Sequence, residues 1–192
     1  MKTTLFIIPG FRQSVKSNAY QRLSHILGEH YHVVLIPITW NRRVMSDYVE
    51  EALDFITSHS KTDAPFDVLG FSFGAMVAFI TAPILHPRRL FLCSLSPYFK
   101  EDIPMIRNRW RLNIGYRRVA DFNNFNFAKI IPAIKSNTIV FAGSKEIAKF
   151  PTLNNRIKKA HNYIKDSQLI IIKDAGHDIG NQKYQQAIYD VI

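Results

Sequence analysis

The chain has 192 residues, 47% of them hydrophobic and 21% charged, which suits one domain with a sizeable core and leaves no low-complexity or disordered stretch. Its 25 basic and 15 acidic residues give a formal net charge of +10, which favours acidic ligands or surfaces without choosing a function. The longest apolar runs, residues 5–9 and 33–38, fall far short of the roughly 20 residues of a spanning helix, and no small-residue cleavage site follows the first of them; a cytoplasmic protein without a leader is expected.

Residues 4–9 read as a first strand. Residues 14–30 follow as a helix with Val15, Ala19, Leu23, Ile26 and Leu27 on one face. Residues 32–38, rich in Val and Ile, form a second strand. Residues 46–58 form a helix that Ser46 is expected to cap, with Asp47, Glu50 and Glu51 near the favourable end of its dipole. Residues 66–69 are a third strand, and 73–85 a helix apolar nearly all round, hence buried. Residues 90–95, 139–142 and 168–172 complete six strands, with helices over 151–164 and 182–192. The lone cysteine, Cys93, falls inside a strand and reads as core packing.

Strands with continuous rather than alternating hydrophobicity, each followed by a helix, imply a mainly parallel sheet covered on both faces: an α/β protein, a three-layer αβα sandwich. Residues 97–129 break the rhythm, being longer than a usual crossover, and read as a cap or lid inserted into one domain spanning 1–192.

Gly70-Phe71-Ser72-Phe73-Gly74 ends the third strand and opens a helix. A serine there sits on a tight turn with its hydroxyl above the sheet, beside the free N–H groups of a helix start. Serine needs a base to become a nucleophile, and histidine has the suitable proton affinity. His177, in Asp174-Ala175-Gly176-His177-Asp178, follows the last strand at the rim where open parallel sheets bind ligands. A carboxylate should hold that histidine's tautomer. Glu146 follows the fifth strand and is the first candidate, with Asp174 and Asp178 as fallbacks. Pro9-Gly10-Phe11-Arg12, after the first strand, offers the N–H of Phe11 as a partner to that of Phe73 for binding an oxyanion.

These four segments resemble the α/β-hydrolase superfamily. Pro9-Gly10-Phe11 matches its oxyanion loop, residues 70–74 its nucleophile elbow, 143–146 its acid loop and Gly176-His177 its histidine loop. The resemblance implies a Ser72, Glu146, His177 triad with Phe11 and Phe73 as oxyanion donors, in a trimmed version lacking the first two strands. This chain departs from the pattern in having Pro9 where many members have histidine, and glutamate where aspartate is commoner.

The expected chemistry is hydrolysis of a small-molecule ester or thioester through an acyl-enzyme, without cofactor, metal or nucleic acid. Gly10, Arg12, Phe71 and Trp110 are the expected substrate contacts, with Phe11, Phe73 and residues 122–127 lining an acyl pocket. The arginines between 107 and 118 either attract an anionic group or form a solvated face. The alternative is an inactive hydrolase-fold protein whose basic cap holds an acidic partner or an anionic surface.

Overall fold

The computed structural model describes residues 2–60 and 64–192. In chain order its first elements are β1 (Thr3–Ile8), α1 (Asn18–Leu27), β2 (Tyr31–Leu35), α2 (Met45–His59), β3 (Phe66–Phe71), α3 (Phe73–Leu85) and β4 (Arg89–Cys93). A run of short helices follows, including α4 (Asn108–Ile114), α5 (Tyr116–Asp121) and α6 (Phe127–Ile130), with 3₁₀ turns between them. The chain closes with β5 (Asn137–Gly143), α7 (Ser144–Lys149), α8 (Pro151–Tyr163), β6 (Gln168–Ile172) and α9 (Gln182–Tyr189). The strands form one sheet in the order β2-β1-β3-β4-β5-β6, and every pairing is parallel.

Alternation along each strand divides the core. Phe6, Ile8, Val68, Leu90, Leu92 and Val140 face the layer built from α2, α3, α8 and the cap. Leu5, Ile7, Leu69, Phe91, Cys93 and Phe141 face α1 and α9 on the other side. Cys93 is fully buried, and burial pushes its thiol up, so it packs and stays protonated. Among the described residues no helix is long and apolar enough to cross a membrane.

Several boundaries differ from the sequence reading for local reasons. β2 ends at Leu35, not residue 38, since Pro37 has no N–H to continue the ladder. α1 starts at Asn18 because the Ser14 hydroxyl takes the Lys16 N–H at 3.1 Å and holds a turn there instead. Ser46 does not cap α2. Val44 is the capping position, and its N–H donates to Asp47 at 2.7 Å. Ser46 lies inside the first turn, where its N–H and hydroxyl both donate to Asp121 at 2.8 Å.

The cap has no core of its own. Phe99, Phe122 and Phe127 are buried in the layer over α3, where Phe127 stacks on Phe79 at 4.9 Å. Two charged clamps add direction. Arg118 donates to the Tyr48 hydroxyl and the Trp40 carbonyl, each at 2.8 Å. Arg156 of α8 meets Asp102 at 2.5 Å, both about 3% exposed, with the guanidinium 3.9 Å over the Phe127 ring.

Candidate active site

Because all strands run the same way, the loops after β1, β3, β4, β5 and β6 gather at one rim. Ser72 stands at the sharpest of them, between β3 and α3, with φ 57° and ψ −116°. That left-handed backbone is strained for serine, costing on the order of 1–3 kcal/mol, and persists because its surroundings allow nothing else. The Ser72 N–H donates to the Cys93 carbonyl at 2.8 Å. A Cβ at position 70 would lie 2.6 Å from the Ala75 Cα and closer still to the Gly74 carbonyl. One at position 74 would strike the Ile8 and Pro9 carbonyls. The two glycines therefore admit two different neighbours: one the start of α3, the other the end of β1.

The Ser72 hydroxyl meets His177 Nε2 at 2.9 Å, and His177 Nδ1 meets Glu146 Oε2 at 2.7 Å. The carboxylate requires the proton on Nδ1, which leaves Nε2 to accept from serine. Glu146 is only 1% exposed, and its other oxygen is fully occupied. Oε1 accepts from the Ser94 hydroxyl and the Gly143 N–H, each at 2.7 Å. Since Ser94 gives its proton to Glu146, the Tyr184 hydroxyl donates to Ser94 at 2.8 Å. Burial holds the Tyr184 phenol well above its ordinary range and so keeps it a donor.

Glu146 lies in the first turn of α7, where the sequence suggested only a loop, and its side chain reaches back to cap that helix. The acid and histidine loops are stitched together. The Lys145 N–H donates to the Ala175 carbonyl and the Asp174 N–H to the Ser144 hydroxyl, each at 2.9 Å. A Cβ at Gly143 would strike the Ala175 carbonyl. The fallback acids point elsewhere: Asp174 pairs with Lys183 at 3.2 Å, and Asp178 accepts the Gly180 N–H at 2.8 Å.

Above this rim lies a cavity of about 600 Å³, lined by Ser72, His177, Phe11, Phe73, Trp110 and Phe150 among others. Of the expected substrate contacts, Arg12 and Trp110 line it. Two other expected contacts do not. Phe71 is fully buried beneath the histidine, its ring 5.0 Å from that of His177, because it continues β3 toward the α1–α9 side. Gly10 turns its N–H inward, to the Tyr20 hydroxyl at 2.9 Å and Gln13 at 3.0 Å, and a Cβ there would lie 3.1 Å from Phe71. Phe122 and Phe127 do not line this cavity either, being taken up in the core. Phe11 and Phe73 stack at 4.9 Å, and among the described residues neither N–H has an acceptor.

The sequence reading missed Ser96, whose hydroxyl sits 3.3 Å from that of Ser72 and is nearly buried. Its only sequence signal is a Ser-Pro pair just past the end of β4. It also missed the wall formed by residues 150–153, where Pro151 opens α8 against the cavity. Among the described residues no three His, Cys, Asp or Glu side chains gather as metal ligands.

Residues 3–97 match a family model described as Thioesterase domain, a stretch that includes Ser72 but neither Glu146 nor His177. No curated protein matches the sequence. Est1E from Butyrivibrio proteoclasticus superposes with a TM-score of 0.84 at 11% identity, covering 99% of this chain and 85% of that one. The enol-lactonase from Burkholderia xenovorans gives 0.73 at 11% identity, covering 100% and 90%. Alpha/beta hydrolase domain-containing protein 10 from mouse gives 0.72 at 11% identity, covering 98% and 87%. At such identities the likeness is one of fold.

Proposed function

We propose that this chain, an α/β hydrolase by fold, is a serine hydrolase that cleaves a carboxylic ester or thioester through an acyl-enzyme on Ser72. The unbroken relay from Ser72 through His177 to Glu146, with contacts of 2.9 and 2.7 Å, carries the reading. A substrate carbonyl seated in the cavity lies within reach of the serine oxygen. As that oxygen attacks, its proton passes to His177 Nε2, and the imidazolium that forms is stabilised by Glu146 through Nδ1. The new oxyanion takes the unengaged N–H groups of Phe11 and Phe73, one such donor contributing roughly 3–4 kcal/mol. His177 then returns the proton to the departing alcohol or thiol. A water deprotonated by the same nitrogen repeats the sequence and frees the acid. The Ser96 hydroxyl, with Ser72 donating to histidine, is left to donate to the Ser72 oxygen.

The match to a thioesterase family over the nucleophile segment supports the reading. So do the names of the structural neighbours, one of which is described with ferulic acid bound to Est1E. An inactive protein that merely holds an acidic partner gives no reason for a serine kept at φ 57° with its hydroxyl on an imidazole.

A fluorophosphonate probe and a series of p-nitrophenyl esters test it. The wild type is expected to label and to release p-nitrophenolate. Ser72→Ala is expected to lose labelling and to turn over on the order of 10⁶-fold more slowly. A well-folded wild type that neither labels nor cleaves any ester from acetate to laurate would refute the reading.

A further inference from the structure

Three cationic side chains from three separate stretches of chain line the cavity above Ser72: Arg12 after β1, Arg107 at the start of α4 and Lys149 at the end of α7. All three are exposed, and among the described residues none of their side chains makes an ion pair or a hydrogen bond. Two neighbouring arginines are committed. Arg111 donates to the Ile106 and Ile103 carbonyls at 2.9 and 2.8 Å, and Arg118 to Tyr48 and Trp40. The acidic groups beside the cavity are committed too. Asp102 is buried against Arg156, and Glu146 lies behind His177. The cavity thus has an apolar wall, uncompensated positive charge and no free carboxylate.

Two guanidinium groups also gather round one ring. The Arg12 guanidinium lies 4.9 Å from the centre of the Phe11 ring and that of Arg118 lies 5.0 Å from the same centre. Like charges gathered round one ring repel each other, and a bound anion relieves that repulsion. Arg12 is itself held at φ 60°, a backbone conformation that a non-glycine residue seldom adopts.

We infer that the substrate is anionic: an ester or thioester bearing a carboxylate- or phosphate-like oxyanion, which Arg12, Arg107 and Lys149 hold while the apolar wall takes the rest of the molecule. The inference rests on the hydrolase reading for the reacting group, and on the three cations for the charge. A cleft lined by one sign of charge raises both the capture rate and the affinity for the opposite sign, and salt screens both.

Two substrate pairs test this and locate the charge. p-Nitrophenyl hemiglutarate against p-nitrophenyl valerate places a carboxylate on the acyl side. The butyryl thioester of 3-mercaptopropionate against that of 3-mercaptopropionamide places it on the leaving group. At low ionic strength kcat/KM for the charged member of at least one pair should exceed its neutral partner by about tenfold, and the advantage should shrink near 0.5 M salt, where the screening length is only about 4 Å. The double variant Arg107→Gln/Lys149→Gln should lower the charged-to-neutral ratio about tenfold. Preference for the neutral member in both pairs, or a ratio unmoved by the double variant, would overturn the inference and leave the hydrolase reading standing. If the wild type cleaves neither member of either pair, the fluorophosphonate labelling and the ester series decide the hydrolase reading separately. The inference is then decided by binding of p-nitrophenyl hemiglutarate, followed through tryptophan fluorescence. Salt-sensitive binding that the double variant loses supports it; absence of such binding refutes it.

Discussion

The sheet rim and the cap face each other across one cavity, and different forces hold them. At the rim, short turns and buried hydrogen bonds set the reacting atoms: Ser72 on strained backbone, Glu146 with both oxygens engaged, and the acid and histidine loops tied by backbone N–H groups. Each of those positions depends on neighbours that cannot move without breaking a strand or a helix start. In the cap, position comes from aromatic faces and from clamps made by long side chains, Arg118 on Tyr48 and Arg156 on Asp102. Such contacts tolerate exchange of one apolar side chain for another, and they carry energy more than angular precision. Under the proposed function the contrast assigns chemistry to the rim and cavity shape to the cap, and substitutions in each region should fail in different ways.

The largest effect short of losing the nucleophile is expected at the rim. In Glu146→Gln the amide oxygen remains opposite the Ser94 and Gly143 donors, so the NH₂ faces His177 Nδ1. That forces the other tautomer, with its N–H directed at Ser72. Turnover should fall about 10⁴-fold with the melting temperature little changed, checked by steady-state kinetics beside thermal unfolding. A variant within a factor of ten of wild type would remove Glu146 from the relay.

The cap should respond the opposite way. Asp102→Asn leaves Arg156 buried without its counter-charge and should cost about 3–5 kcal/mol in denaturant unfolding, with a far smaller loss of turnover in the folded protein than at Glu146. Replacing the pair together, as Asp102→Leu/Arg156→Met, should restore much of that stability. If Asp102→Asn harms turnover more than stability, the division between the regions is wrong.

A smaller effect is expected one bond behind the carboxylate. Ser94→Ala removes one of the donors to Glu146 Oε1 and leaves the Tyr184 hydroxyl only the Phe141 carbonyl, at 3.4 Å. Turnover should drop about tenfold and stability by about 1–2 kcal/mol. This variant marks how far the rim's precision reaches into the core.

The smallest effect lies in the cap and depends on pH. Burial pushes the Glu101 carboxyl upward. The N–H groups of Ala128, its own and Phe127, together with the Arg156 charge, outweigh that and hold it below its ordinary value. A carboxyl with a lowered folded value contributes stability above the unfolded value, near 4.3, and loses it as the pH falls through the folded value. The difference in melting temperature between wild type and Glu101→Gln should therefore be present at pH 6 and vanish in acid. A difference that grows in acid would contradict the capping role.

Local pattern was enough to read the alternation of strands and helices, the parallel layering, and the convergence of Ser72, Glu146 and His177 at one rim. The reason is that each of these residues stands directly after a strand whose hydrophobicity is visible in a few adjacent positions. In a parallel sheet, following a strand already means sharing a rim. The same pattern misplaced side chains whose partners are remote. Phe122 and Phe127 read as pocket lining but pack on α3 and the neighbouring aromatic groups of the cap. Phe71 and Gly10 read as substrate contacts but turn into the core. Ser46 read as a cap for its own helix but binds Asp121, 75 positions away.

What the sequence by itself determined was therefore the layers and the residues that meet at their rim, because those follow from period and spacing along the chain. The cavity, its cationic lining and the seating of the cap were decided only by tertiary structure. Periodicity says that a face is buried, yet which surface buries it depends on contacts between segments the chain brings together only once folded.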